Sequence, residues 1–388
     1  MPVTSPIYSV PYLIVLSVFI GCAAWGYSKQ NNPGAIRFVC LSAFLLFFGL
    51  RGLVGWDWSS YYPSYEALEP LWGDPSRNFG SIGDIGFVAY STLVRSVSAD
   101  YHFFIFVSVL LDAIVLNWLF KRYSANYAFS FAVFMVVSLG MEIDTLRNMK
   151  SLLLFLLAIP YAQERKPWKY FALVLLAATL HISALLYLPL YFVLNRRIPL
   201  WVFICLFAVG NVVYLLQLPV LRPLISAAGN LVLGGRMGSM LNMYLDSDIY
   251  SAARGINISY LERLGTSILV MCYYRRLVAI RPSNRLFVNL FVVYIVVALF
   301  TSEMSILFDR VGALFVISYW ILWPALAECF AIRTNRRIYV AAITLACYLF
   351  VTVRSMSVLY QYDNVLTGAK SYNERIVIFE AAGAELLQ

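Results

Sequence analysis

Ten apolar runs, each long enough to cross a bilayer, constrain the fold of this chain more than any other feature. An α-helix rises about 1.5 Å per residue, so about 20 apolar residues span the hydrocarbon core. Composition agrees with this reading, because 61% of the residues are hydrophobic and only 13% are charged. The chain is predicted to be an all-α, polytopic integral membrane protein. The runs lie near 7–27, 36–54, 101–120, 125–142, 147–163, 198–218, 258–279, 286–305, 311–331 and 338–354.

Basic clusters between the runs indicate the orientation of the chain, since Lys and Arg concentrate in cytoplasmic loops. Six clusters hold 16 of the 29 Lys and Arg residues and are interpreted as cytoplasmic: Lys29 with Arg37, Lys121 with Arg122, Arg165 with Lys166 and Lys169, Arg196 with Arg197, Arg275 with Arg276, Arg281 and Arg285, and Arg333 with Arg336 and Arg337. Placing all six on one side requires 168–194 to enter and leave the membrane on that side, as two short helical halves meeting near His181. We therefore expect about 11–13 transmembrane helices, a re-entrant or short-helix hairpin near 168–195, and both termini outside.

The whole chain, 1–388, is predicted to form a single transmembrane domain with outer-face loops at about 55–100 and 219–257. The six cysteines occur singly, which is not the spacing of a metal site or a disulfide framework. The net charge of +9 does not indicate nucleic-acid binding, because membrane topology accounts for most of the basic clusters.

Thirteen basic residues remain outside these clusters, and several lie at or within the end of a span, where an unpaired charge is costly. They indicate an anionic ligand on the outer side, although each could instead snorkel to the lipid headgroups. The loop 219–257 contributes Arg236 and Arg254 among glycines that suit a mobile lid. The full set is Arg51, Arg77, Arg95, Arg147, Lys150, Arg222, Arg236, Arg254, Arg263, Arg310, Arg354, Lys370 and Arg375.

The stretch RGLVGWDWSSYY (51–62) ends an apolar run with polar residues at one depth. Arg51 and Asp57 are expected to face each other across a glycine-containing turn, with Tyr61 nearby. Arginine binds phosphate oxygens with two parallel hydrogen bonds, which suits a pyrophosphate at the membrane surface. Aromatic side chains here could stack on pyranose rings, or could simply form an interfacial belt: Trp56, Trp58, Tyr61, Tyr62 and Tyr65.

Three further polar groups are predicted at the same outer face: Asp144 with Arg147 and Lys150, His181, and Asp309 with Arg310. His181 lies within the apolar hairpin, where it could form a packing hydrogen bond or act as a general base. Asp57 or Glu142 could serve as the base instead. The only other histidine, His102, is interpreted as interfacial.

Four segments resemble the EpsG family of bacterial polysaccharide proteins, which is similar to the Wzy polymerases. They are RGLVGWDWSSYY (51–62), DIGF (84–87), 145–197 with its His-x-Ser-Ala-Leu sequence, and FDRVGALF (308–315). The resemblance implies polymerisation of polyprenyl-diphosphate-linked oligosaccharides, such as undecaprenyl diphosphate carriers of O-antigen or exopolysaccharide units. It places that reaction on the periplasmic face of the inner membrane. Two positions depart from the family pattern, since the family usually has Gln at Asn148 and Glu at Asp84.

Eight residues match the family's motif positions: Arg51, Gly55, Asp57, Tyr61, Gly86, Arg147, His181 and Arg310. Together with the position of each group along the chain, this predicts catalytic roles for Asp57, His181 and Arg147. Substrate binding is predicted for Arg51, Tyr61, Lys150, Arg236, Arg254 and Arg310. No metal or cofactor is expected if arginines neutralise the diphosphate. Expected partners are the lipid-linked oligosaccharides, membrane lipids and a chain-length regulator protein, with no nucleic acid.

Two other functions remain open from the residues alone. A flippase or exporter of lipid-linked glycans predicts a cationic path through the membrane and two comparable halves. A membrane acyltransferase that modifies sugars predicts a site reached by an acyl donor from the cytoplasm. The excess arginines are predicted on one face and no repeat is visible, which favours the polymerase.

Overall fold

Helices form most of the chain in the computed structural model, which describes residues 3–28, 32–80, 84–220, 223, 255–304 and 308–386. Within these ranges the fold has 17 α-helices and no strand, so the predicted all-α membrane fold is confirmed. Three helices are long and apolar enough to span a bilayer: Pro6–Gly26, Tyr101–Tyr123 and Arg333–Ser355. Shorter apolar helices are Pro33–Gly49, Ile85–Arg95, Tyr127–Val137, Pro167–Leu180, Ile182–Leu194, Leu200–Leu215 and Asn284–Phe300.

The chain divides into two compact units, Met1–Tyr191 with Trp323–Gln388, and Phe192–Leu322. In chain order, the first ten helices are α1 Val10–Gly26, α2 Pro33–Phe44, α3 Trp58–Glu66, α4 Ile85–Arg95, α5 Tyr101–Tyr123, α6 Tyr127–Val137, α7 Leu139–Ile143, α8 Leu146–Gln163, α9 Pro167–Leu180 and α10 Leu190–Leu194. Then follow α11 Leu200–Leu215, α12 Ile258–Ile280, α13 Asn284–Phe300, α14 Ala313–Phe315, α15 Ser318–Cys329, α16 Arg333–Ser355 and α17 Tyr372–Leu386.

Polar side chains begin several of these helices. Asn32, Asp100, Asn126 and Asn257 each accept a hydrogen bond from a backbone N–H in the first turn of α2, α5, α6 and α12. The first N–H groups of a helix have no partner within it, and such a cap satisfies one or two of them. Helices α1, α2, α6 and α16 pack together in the first unit, and α11, α12 and α13 pack together in the second.

Two predicted spans are interrupted. The run 125–142 forms α6 and α7 with a break at Ser138, and the run 36–54 ends in a wide helical turn, Leu45–Gly49. Carbonyl groups at the ends of the wide turn, of α6 and of α7 accept hydrogen bonds from arginine. Arg51 donates to Phe48 O at 2.7 Å and to Glu142 O and Ile143 O at 3.2 Å each. Arg354 donates to Val136 O at 2.6 Å.

The predicted short-helix hairpin is present. Helix α9 ends at Leu180, His181 is extended, and a 3₁₀ segment, Ile182–Tyr187, leads into α10. The Tyr170 hydroxyl donates to Tyr187 O at 2.6 Å, and the rings of Tyr170 and Tyr191 lie 5.3 Å apart. The second half therefore folds back along the first, with His181 at the turn.

The segment after α16 packs against the loop that follows α2. Gly52 N donates to Asp363 O, Gly55 N donates to Leu359 O, and Val365 N donates to Leu50 O, all within 3.0 Å. At the same end of the first unit, Ser5 N donates to Met356 O at 2.7 Å. The start of α1 and the end of α16 thus lie at one end, as the predicted topology requires.

Cysteine labelling tests the side of the membrane that the hairpin faces. In a cysteine-free background, Lys166→Cys at the base of the hairpin should react with a membrane-impermeant maleimide only after the cells are permeabilised. Arg77→Cys is the matched control, because Arg77 lies in the predicted outer loop and its side chain is 72% exposed. It should react in intact cells. Labelling of Lys166→Cys in intact cells would contradict the predicted orientation.

Candidate functional site

Asp84 lies at the centre of a group of polar side chains in the first unit. Its Oδ2 atom is 3.2 Å from His181 Nδ1 and 3.5 Å from Arg147 Nη1. The side chains remain partly accessible, at 19% for Asp84, 23% for His181 and 39% for Arg147. A carboxylate therefore bridges an imidazole and a guanidinium at a surface that a ligand can reach.

Close packing of α4 on α9 brings Asp84 to His181. Asp84 precedes the first residue of α4, and His181 follows the last residue of α9. A Cβ atom at Gly86 would lie 2.2 Å from Thr179 Oγ1 and 2.9 Å from the Thr179 carbonyl carbon, so any larger residue would separate the two helices. Ser183 donates to Asn148 Oδ1 at 2.8 Å, which ties the turn of the hairpin to α8 one residue from Arg147.

Tyr61 forms the other wall of this group. Arg147 Nε donates to Tyr61 Oη at 3.4 Å, and the guanidinium carbon lies 5.9 Å from the centre of the Tyr61 ring. Burial raises the pKa of the Tyr61 phenol more than the neighbouring Arg147 charge lowers it. The hydroxyl therefore stays protonated at neutral pH and can donate a hydrogen bond. The Asp57 carboxylate also interacts electrostatically with the Tyr61 phenol and with the Arg147 guanidinium.

A cavity of about 520 Å³ opens beside Arg147. Serine and tyrosine side chains provide hydroxyl groups on part of its wall, and the rest of the wall is apolar. The lining residues are Ser60, Tyr61, Ser64, Tyr65, Leu68, Phe87, Val88, Ser91, Phe104 and Arg147. Such a lining suits a ligand that carries polar, apolar and anionic parts.

Asp144 fixes the loop that leads into α3. Its carboxylate accepts hydrogen bonds from Trp56 N at 2.6 Å, from the Tyr360 hydroxyl at 2.7 Å and from the backbone N–H of Asp57. Gly55 has φ +92, and a Cβ atom there would lie 2.0 Å from Asp144 Oδ1. Glycine is therefore required at this motif position by both backbone conformation and space.

Two predicted substrate-binding residues have other partners. Arg51 is 3% exposed, and its guanidinium donates to backbone carbonyls, so the expected arrangement of Arg51 facing Asp57 is not formed. Lys150 is 4% exposed and pairs with Asp112 on α5, while also donating to Ser108 O at 2.9 Å. Both charges lie in a low-dielectric interior, where a fixed protein partner stabilises them.

Three further predicted residues lie outside the described part of the first unit. Arg310 lies in the second unit, exposed, in the helical turn Phe308–Gly312. Arg236 and Arg254 lie outside the described residues. Arg95, one of the excess basic residues, donates to the carbonyls of Glu66, Leu68 and Ala99 and so fixes the loop around α3.

The sequence alone does not predict Asp84 or Asn148 as site residues. It marks both only as departures from the family pattern. The signal that could have found Asp84 was the position of DIGF between two outer-face motifs, at the start of an amphipathic segment. Among the described residues, no group of three or more His, Cys, Asp or Glu side chains could hold a metal ion.

The EpsG family model matches residues 35–366, which include Asp84, Arg147 and His181. The chain belongs to the EpsG family. No curated protein and no solved structure matches it. Membership of the EpsG family supports a polysaccharide polymerase-like role in general. It also agrees with the apolar helices in indicating a membrane protein.

Removing the Asp144 carboxylate should destabilise the loop before α3. Asp144→Ala leaves two backbone N–H groups and the Tyr360 hydroxyl without their acceptor, which should lower the free energy of unfolding by about 1–3 kcal/mol. Tyr360→Phe removes one of these hydrogen bonds and should have a smaller effect. Thermal unfolding in detergent measures both.

Asp74→Ala is the control, since Asp74 is an exposed loop carboxylate paired with Arg77. Its melting temperature should equal that of the wild type. An Asp144→Ala protein that melts with the wild type would mean that the carboxylate does not hold the loop.

Proposed function

We propose that this EpsG-family protein polymerises polyprenyl-diphosphate-linked oligosaccharide repeat units by glycosyl transfer on the outer face of the membrane. The observation that carries the proposal is the meeting of Asp84 with His181 and with Arg147, which itself lines a cavity with polar and apolar walls. A base, a cation and a hydroxyl-lined cavity are the groups that such a transfer needs.

In the proposed reaction, a sugar hydroxyl of one repeat unit attacks the anomeric carbon of another. The new C–O bond forms as the bond from that carbon to the diphosphate oxygen breaks, and polyprenyl diphosphate leaves with the electron pair. The hydroxyl proton passes to His181. His181 Nδ1 lies 3.2 Å from Asp84 Oδ2, so we assign acceptance of the proton to Nε2, and the nearby Asp84 carboxylate stabilises the imidazolium that forms.

Arg147 is the proposed binding residue for the diphosphate. Charge develops on the leaving diphosphate in the transition state, so a fixed guanidinium lowers the barrier more than it stabilises the bound substrate. Arg147 is held by Tyr61 on one side and Asp84 on the other, and its side chain is still 39% exposed. It therefore combines a fixed orientation with access to a ligand.

The cavity suggests where the rest of the substrate binds. Ser60 and Ser64 lie on successive turns of α3. The Ser64 hydroxyl donates to Ser60 O at 2.7 Å, so it can accept a hydrogen bond from a sugar hydroxyl, and the Ser60 hydroxyl can donate one. The ring of Tyr61 offers a flat face to a pyranose. Leu68, Phe87 and Phe104 line the remaining wall, which is suited to the first isoprene units of the lipid carrier.

The outer orientation is supported by charge placement within the first unit. Lys166 and Lys169 begin α9, and His181 follows its last residue. The proposed site is thus at the end of α9 away from these lysines. Because Lys and Arg concentrate in cytoplasmic loops, the opposite end faces outward.

Arg147→Lys tests the diphosphate role. Lysine keeps the charge but lacks the planar fork, so polymer yield should fall by about 10²–10³-fold while protein abundance is unchanged. The measurement is gel analysis of the surface glycan in a deletion strain complemented with each variant. Arg77→Lys is the matched control, because Arg77 is exposed and outside the site, and it should give full-length polymer.

The same gels separate a polymerase from a flippase. Loss of polymerisation leaves single repeat units on the outer surface, whereas loss of export leaves none there. Full-length polymer from Arg147→Lys would mean that the Arg147 guanidinium is not needed to bind the diphosphate. A complete absence of surface repeat units in the deletion strain would favour the flippase.

Asp84 is proposed as a positioning residue for His181. His181→Gln should reduce polymerisation by about 10²–10⁴-fold, the range expected for a general base. Asp84→Asn should cause a smaller loss, and Asp84→Glu, which restores the carboxylate, should recover most of it. If Asp84 acts through His181, Asp84→Asn should add little in the His181→Gln background.

A structural role for Asp84 predicts a different pattern. In that case Asp84→Asn would lower protein abundance or melting temperature, and its effect would add to that of His181→Gln. Additive losses would contradict the positioning role.

A further inference from the structure

A second cavity, of about 460 Å³, lies in the first unit and is lined by residues at the termini of several helices. Tyr27 follows α1, Arg37 lies in the first turns of α2, Lys121 is in the last turn of α5, and Arg336 is in the first turn of α16. All four line the cavity. It is not part of the proposed active site.

Helix α5 contributes to the walls of both cavities, so the distance along it gives their separation. Phe104 lines the first cavity and Lys121 lines the second. These residues are 17 positions apart on one continuous helix, which corresponds to about 25 Å along its axis. That distance is close to the thickness of a bilayer core, about 30 Å. The second cavity therefore lies at the opposite membrane interface from the proposed active site.

Three cationic side chains and one carboxylate, Glu328, line the second cavity. The Arg336 guanidinium lies over the Tyr27 ring, with its carbon 4.5 Å from the ring centre. Arg37 Nε donates to Pro33 O at 3.0 Å, which holds that guanidinium against the cavity wall. The cationic side chains come from three separate helices, α2, α5 and α16. The positive-inside rule explains the sign of these charges, but it does not explain why they meet around one cavity.

Exposed apolar side chains beside the cavity favour a lipid over a soluble anion. Trp25, two residues before Tyr27, is 38% exposed, and Phe38, next to Arg37, is 73% exposed. In a bilayer these side chains contact acyl chains, while the cavity lies at the depth of the headgroups. A lipid whose phosphate enters the cavity could leave its acyl chains against Trp25 and Phe38.

We propose that this cavity is a binding site for the phosphate group of an anionic membrane lipid in the cytoplasmic leaflet. Arg37, Lys121 and Arg336 supply the charge, and arginine forks match phosphate oxygens. The site is independent of the glycosyl-transfer proposal, because none of its residues contributes to the group around Asp84.

The test uses the full chain in nanodiscs of phosphatidylcholine with a minor fraction of phosphatidylglycerol. After extraction into detergent, native mass spectrometry counts the phosphatidylglycerol that remains bound. Arg37→Gln and Lys121→Gln should each reduce retention by about fivefold, as expected for one cation near an anionic headgroup. Arg337→Gln is the matched control, because Arg337 is exposed on α16 next to Arg336 and does not line the cavity.

The melting temperature of each variant in lipid-free detergent shows whether the fold is intact. Arg337→Gln should retain phosphatidylglycerol as the wild type does. An equal loss in Arg337→Gln, or no loss in both Arg37→Gln and Lys121→Gln, would overturn the site. Inorganic phosphate is added as a competitor: if it displaces the lipid and gives the same thermal stabilisation, the anion site stands but the lipid assignment is overturned.

Discussion

Backbone groups at interrupted helices need partners inside a membrane protein, and the first unit depends on how they are satisfied. No water is available in the hydrocarbon core to take the place of a lost helical hydrogen bond. Arg51 donates to carbonyls at the end of the wide turn Leu45–Gly49 and at the end of α7. Arg354 donates to a carbonyl at the end of α6. Asp144 accepts the N–H of Trp56 in the loop before α3. These contacts use charged side chains as partners for backbone groups, which accounts for Arg51 and Arg354 at the ends of spans.

The residues of the candidate site also lie at helix ends. Asp84 precedes α4, Arg147 lies in the first turn of α8, and His181 lies between the halves of the hairpin. A helix end can present a polar side chain together with unpaired backbone groups, and a continuous apolar span cannot. The close approach of α4 and α9 at Gly86 then decides that Asp84 meets His181. The same design, in which helix ends surround a cavity, recurs at the other end of α5, where Lys121 lines the second cavity.

Three groups of basic residues in the first unit thus have different physical roles. Arg51, Lys150 and Arg354 are fixed by protein partners and hold the fold together. Arg147 is held by its neighbours but remains accessible, which suits recognition of a diphosphate. The basic clusters that the sequence predicts to be cytoplasmic form the third group, and three of their members also line a cavity. Charge alone does not separate these groups, since a guanidinium has the same chemistry in all three.

The sequence by itself determined the all-α membrane fold, the hairpin centred on His181 and the EpsG family, because apolar run length, basic loops and local motifs are properties of contiguous residues. It also predicted Tyr61, Arg147 and His181 as site residues, and these three lie around one group in the structure. Only the tertiary structure decided that Asp84 bridges Arg147 and His181, and that Arg51 and Lys150 point to protein partners. Those outcomes depend on which helix ends approach each other. A contact across 63 or 97 residues is set by packing between helices, such as that at Gly86, and no local pattern records it.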